Sequence, residues 1–105
     1  MSGMNKLLKQ AKVLQEKMAQ IQKEVADSLI EVEAGGGAIT IEISGDQVLQ
    51  SLKIKPEIVD PKDVEALEDL ILTAMNQAIA ESKKFADEKA KEVTGDVSLP
   101  AGLGF

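Results

Sequence analysis

Apolar residues recur at Met4, Leu7, Ala11, Leu14, Met18, Ile21 and Val25. The steps alternate between three and four, which lines these side chains along one stripe of a helix, as a helix needs when it packs along another. The pattern predicts a first helix over residues 4–27. The period then changes to two. Ile30 and Val32 share one face between Leu29 and Glu33, and Ile39, Ile41 and Ile43 share one between Ala38 and Ser44. From Val48 to Lys55, Val48, Leu52 and Ile54 lie opposite Ser51, Lys53 and Lys55. This alternation predicts three strands. Two-residue loops at Gly35-Gly36 and Gly45-Asp46 join them, with glycine supplying the positive φ of tight hairpin turns. They pair Val32 with Ile39, Ile30 with Ile41, Ile43 with Val48 and Ile39 with Leu52, so the apolar residues share one face. A slip of one residue would scatter them. Leu49 on the wet face and Gln50 on the apolar face are the misfits.

The helical period returns after a clear start signal. Asp60 is placed as the N-cap with Pro61 at the first helical position, and Asp63, Glu65, Glu68 and Asp69 follow. Negative charge there complements the helix dipole. An apolar stripe runs through Val64, Leu67, Leu70, Ile71, Ala74, Met75 and Ala78, and Lys83, Lys84, Lys89 and Lys91 gather toward the other end, before the stop at Gly95. The prediction is an α+β protomer, helix–three-stranded antiparallel sheet–helix. Residues 1–95 form a single domain and 96–105 a mobile tail containing Pro100, Gly102 and Gly104.

Element lengths argue for a second chain. The first helix is about 35 Å long and the second about 45 Å, while a six-residue strand spans only about 20 Å. So small a sheet cannot cover both apolar stripes. A second copy is the simplest cover, which predicts a homodimer with helices projecting beyond the sheets.

Composition narrows the chemistry. The 105 residues include no His, Cys, Tyr, Trp or Arg, so Ser-His and Cys-His nucleophile pairs and imidazole or thiolate zinc sites cannot be built. No catalytic residue, cofactor, metal or small-molecule substrate is expected. No apolar run approaches the ~18 residues of a membrane span, and Lys6 and Lys9 interrupt any signal-peptide core. A cytoplasmic protein without a membrane partner is the expectation.

Charge is unevenly spread. The chain carries a net −6, yet residues 1–23 hold Lys6, Lys9, Lys12, Lys17 and Lys23 against Glu16 alone, or +4. Two readings stand: phosphate contact by each Lys, or a solvated face that keeps a greasy seam soluble. Without Arg, the bidentate contact to guanine is unavailable, so any DNA binding should be salt-sensitive and of low specificity. The acidic stretch from Glu57 to Asp69 reads as helix-start electrostatics and lacks the spacing of a calcium loop. Gly35-Gly36-Gly37 runs into a strand without a following Lys-Ser, so it is a hairpin and not a phosphate loop. Met4, Met18 and Met75 lie on apolar stripes as packing residues, and Asn76 is assigned a structural hydrogen bond.

The opening Met4-Asn5-Lys6-Leu7-Leu8-Lys9-Gln10-Ala11, continued by Gln15-Glu16-Lys17-Met18, resembles the start of the YbaB/EbfC nucleoid-associated proteins. So do the glycine-rich hairpin before Ile39-Thr40-Ile41, the run Leu67-Glu68-Asp69-Leu70-Ile71 leading to Ala74-Met75-Asn76-Gln77-Ala78, and the tail Leu99-Pro100-Ala101-Gly102-Leu103. The likeness covers essentially the whole chain. It implies an intertwined, tweezers-like homodimer, a bacterial cytoplasmic protein that binds double-stranded DNA, coats the nucleoid and affects transcription. Other members carry several Arg among the basic helical positions, where this chain has only Lys. The DNA-contacting set expected here is Lys6, Lys9, Lys12, Lys17 and Lys23, joined by Lys83 and Lys84 of the second helix. The alternative is a protein-interaction or chaperone-like dimer without direct DNA binding, working through helix grooves and the tail.

Overall fold

The structure, a computed structural model, describes residues 2–94. Helix α1 spans Ser2–Asp27, strands β1, β2 and β3 span Leu29–Ala34, Ile39–Ser44 and Leu49–Ile54, a 3-10 turn covers Pro56–Ile58, and helix α2 spans Val64–Thr94. The strands form one antiparallel sheet in the order β1-β2-β3. The expected tail, 96–105, and the stop at Gly95 lie outside the described residues.

Alternation decides which face of the sheet is dry. Val32, Ile39, Ile41 and Ile43 are buried on one face, and Ala74 and Ala78 of α2 close over them. Small residues at these two positions let the helix backbone approach the sheet closely. α2 lies across β1 and β2, which leaves β3 as an edge strand beside it. The other face is polar: Glu31 stands opposite Glu42, and the Ser51 hydroxyl donates to Glu42 Oε1 at 2.7 Å.

The register differs from the expected one. Val32 pairs with Ile41, Ile30 with Ile43 and Ala34 with Ile39, two residues away from the pairing a two-residue loop would give. The loop is longer because Gly35, Gly36 and Gly37 all adopt positive φ, at 61°, 68° and 90°, and Ala38 N–H closes onto the Gly35 carbonyl at 3.3 Å. A shift of two keeps every side chain on its face, so the apolar pattern could not detect it. In the second hairpin Ile39 pairs with Ile54, Ile41 with Leu52 and Ile43 with Leu49, with an irregularity beside Glu42 and Ile43. Gln50 is the extra residue of a β-bulge, which reverses side-chain parity before Ser51. Leu49 thereby reaches the apolar face, and both misfits of the simple alternation are resolved.

Helix α2 starts later than expected. Asp60 Oδ1 accepts from Lys62 N–H at 2.9 Å, and Asp63 N–H donates to the Asp60 carbonyl at 2.9 Å. Asp60 therefore closes an Asx turn around Pro61. The cap passes to Asp63, whose Oδ1 accepts from Ala66 N–H at 3.3 Å.

Candidate nucleic-acid interface

The lysine-bearing helix is anchored at one end only. Val25 is buried, and Met18 and Ile21 are half-buried in a cleft of about 480 Å³ shared with Gly45, Ala86 and Ala90. A Cβ at Gly45 would run into the Val25 carbonyl oxygen and come within 2.7 Å of Val25 Cγ1 and 3.1 Å of the Phe85 ring. Glycine is what lets the end of α1 rest on the β2–β3 turn. Ser82 fixes α2 to the same turn. Its fully buried hydroxyl donates to the Ser44 carbonyl at 2.7 Å and accepts from Gln47 N–H at 3.1 Å. Gln47, at φ 67°, carries the positive φ expected of the glycine here. The composition pattern did not single out Ser82; its signal is a small polar residue four positions after Ala78 on the sheet-facing stripe.

Beyond this anchor, every residue of α1 from Gly3 to Lys17 is exposed. Fifteen residues at about 1.5 Å each make an arm of roughly 22 Å, in a molecule 74 Å long and 28 by 16 Å across. Met4 stands 62% exposed, so it packs against nothing that buries it within one chain. Lys6, Lys9 and Lys17 line one open groove of about 460 Å³ along the arm, together with Gln10, Val13 and Leu14. Lys12 and Lys23 are exposed outside that groove. None of these lysines has an ion-pair partner among the described residues. Lys83 lines the anchoring cleft beside Asp46, away from the arm groove. Lys84 is exposed on α2, and Asn76 is exposed and makes no helix-to-sheet hydrogen bond.

The local charge balance separates the two lysine groups. From residue 81 to 92, Lys83, Lys84, Lys89 and Lys91 face Glu81, Asp87, Glu88 and Glu92, a sum of zero. Lys89 is placed 3.6 Å from Glu92 and 5.8 Å from the Phe85 ring centre. The arm, from Gly3 to Lys17, sums to +3. Such a surface can neutralise backbone phosphates but has no planar donor fork to read bases.

Comparison with known proteins agrees with this chemistry. A family model described as the YbaB/EbfC DNA-binding family matches residues 1–97. The chain belongs to the YbaB/EbfC family. A relative from Clostridium kluyveri is 44% identical over 98 residues, covering 93% of this chain and 86% of the relative, and is named a nucleoid-associated protein. One from Chloroflexus aurantiacus, with the same name, is 43% identical over 89 residues, covering 85% and 89%. Among solved structures, the uncharacterised protein HP0035 of Helicobacter pylori superposes with a TM-score of 0.72 over 90% of this chain and 97% of its own, at 20% identity. That likeness concerns the fold. YbaB/EbfC membership makes the chain a DNA-binding protein of a family that is not an enzyme family. Among the described residues no helix is long and apolar enough to cross a membrane.

Proposed function

We propose that this YbaB/EbfC chain acts as a homodimer at the bacterial nucleoid, binds double-stranded DNA with low sequence specificity, and so influences nucleoid organisation and gene expression. The observation that carries this reading is the arm of α1, a fully exposed stretch with net +3 from Gly3 to Lys17 on a chain of net −6. Lys6, Lys9 and Lys17 make the principal phosphate contacts, Lys12 and Lys23 add to them from the sides, and Lys83 and Lys84 contribute less because acids surround them. Each phosphate neutralised releases counterions, so affinity falls with salt by about 0.9 log unit per log unit for each contact.

A second copy is supported by the apolar surface that one chain leaves in water. Leu49 and Leu52 on β3 are 44% and 48% exposed, and they border a groove of about 230 Å³ with Ile41 and Met75. Leu72 and Ile79 lie one turn to either side of Met75 on the same flank of α2. This edge-strand and helix-flank surface is the dimer face in our reading. Binding to several unrelated 30-base-pair duplexes, followed by fluorescence anisotropy, tests the function. Affinities within a few-fold of each other are expected. A preference of a hundredfold for one duplex, or no binding at low salt, contradicts the proposal.

A further inference from the structure

The seam of α1 does not end where α2 ends its cover. Met18, Ile21 and Val25 pack toward Ala86 and Ala90. The same heptad stripe continues outward through Leu14, Ala11, Leu7 and Met4, all of them exposed. Met4, Leu7 and Leu8 are each 62% exposed and Leu14 is 49% exposed. Unsupported apolar stripes of this kind are costly in water and mark contact surfaces. We propose that the outer stripe of α1 is a homotypic contact, at which the arm of one copy pairs with the arm of another, separately from the sheet-side dimer face.

Three observations select a second copy as the occupant. The stripe continues a seam that already packs against a helix, so its side-chain spacing suits another helix. The positions flanking it toward a helical partner are Leu8 and Gln15 on one side and Gln10 and Lys17 on the other, so charge repulsion between identical arms is small. Lys6, Lys9 and Lys12 fall on the back of the helix relative to the seam, where they stay free for phosphate while the stripe is covered.

The size of the contact sets its strength. The exposed parts of Met4, Leu7, Leu8 and Leu14 amount to roughly 450 Å² per copy, or about 900 Å² for a pair, below the ~1,200 Å² of a self-sufficient interface. Arm pairing is therefore weak between free molecules and strong when neighbours are held on one DNA, where effective concentration is high. The consequence is cooperative coverage of DNA by dimers joined arm to arm. This consequence rests on the DNA-binding reading; the contact itself does not.

Sedimentation velocity without DNA, from about 10 µM to 1 mM, tests the contact. The wild type should show a species of twice the dimer mass that grows with concentration. Replacing Met4→Gln and Leu7→Gln together adds no charge, touches no buried residue and leaves the lysine groove intact, so the fold is kept, as far-UV circular dichroism would verify. This variant should keep the dimer and weaken the larger species at least tenfold, whereas Leu52→Glu should dissociate the sheet-side dimer. On DNA the arm variant should bind non-cooperatively with unchanged salt dependence. A wild type that stays a simple dimer at 1 mM overturns the proposal. So does an arm variant that retains the larger species, or one that falls apart to monomers. Retention on anionic vesicles without any species above the dimer would assign the stripe to lipid and overturn it as well.

Discussion

Gly45→Ala is the sharpest probe of how the arm is held. The added methyl would occupy the position of the Val25 carbonyl oxygen and sit 2.7 Å from Val25 Cγ1 and 3.1 Å from Phe85 Cδ1. The obstacle is backbone, so no rotamer change relieves it. Either the end of α1 or the β2–β3 turn must move, and that turn is tied to α2 through Ser82. Overpacking of this kind costs typically 1–3 kcal/mol, and a backbone obstacle belongs at the upper end, about 3 kcal/mol. For a domain this size each kcal/mol lowers Tm by about 4–8 °C, so a drop of about 12–24 °C is expected. Gly36→Ala is the control: nothing lies within 4 Å of its Cβ, but its φ is +68°. Left-handed strain alone costs about 1–2 kcal/mol. Urea denaturation followed by circular dichroism, at one fixed protein concentration, measures both. If Gly45→Ala costs no more than Gly36→Ala, the account of how α1 seats on the turn is wrong.

Other predictions follow from the same geometry. Ser82→Ala removes the hydroxyl that ties α2 to the turn, while Gln47 N–H keeps its 3.0 Å hydrogen bond to the Ser44 carbonyl; the loss should cost about 0.5–1.5 kcal/mol in urea denaturation, and an unchanged midpoint contradicts the tie. Asp63→Ala should cost about 1 kcal/mol through loss of the cap, and more than Asp60→Ala, when the two are compared by thermal melts. Ile41→Ala, at a position 1% exposed, should cost about 2–5 kcal/mol. Leu52→Glu should turn the dimer to monomers in size-exclusion chromatography with light scattering; an intact dimer refutes the sheet-side face.

The elements were legible because periodicity is read directly from side-chain order. The change from a three-four repeat to alternation and back located α1, the strands and α2. Register was not legible, since Val32 opposite Ile39 and Val32 opposite Ile41 bury the same residues on the same face. The bulge at Gln50 announced itself only as two misfits, which pattern reading could note but not repair. The cap was misplaced by three residues because Asp60 and Asp63 carry the same capping chemistry, and backbone geometry chooses between them. The charge contrast of the arm was visible in the sequence. The separation of Lys6, Lys9 and Lys17 from Lys83 was not, since it depends on where α1 leaves the fold. Gly45 was placed in a turn correctly but for another reason: close approach of α1, and not a positive φ.

A salt titration of binding to a 30-base-pair duplex measures most directly whether the arm lysines meet phosphate. Wild type, Lys6→Gln/Lys9→Gln/Lys17→Gln and Lys83→Gln/Lys84→Gln would be compared by anisotropy. At about 0.9 per contact, loss of three lysines from each of two copies flattens the log–log slope by up to about 5. The arm variant should lose the larger part of the wild-type slope, keeping only what Lys12, Lys23, Lys83 and Lys84 supply, while the α2 variant keeps most of it. An arm variant with the wild-type slope and affinity would contradict the assignment of this surface to DNA.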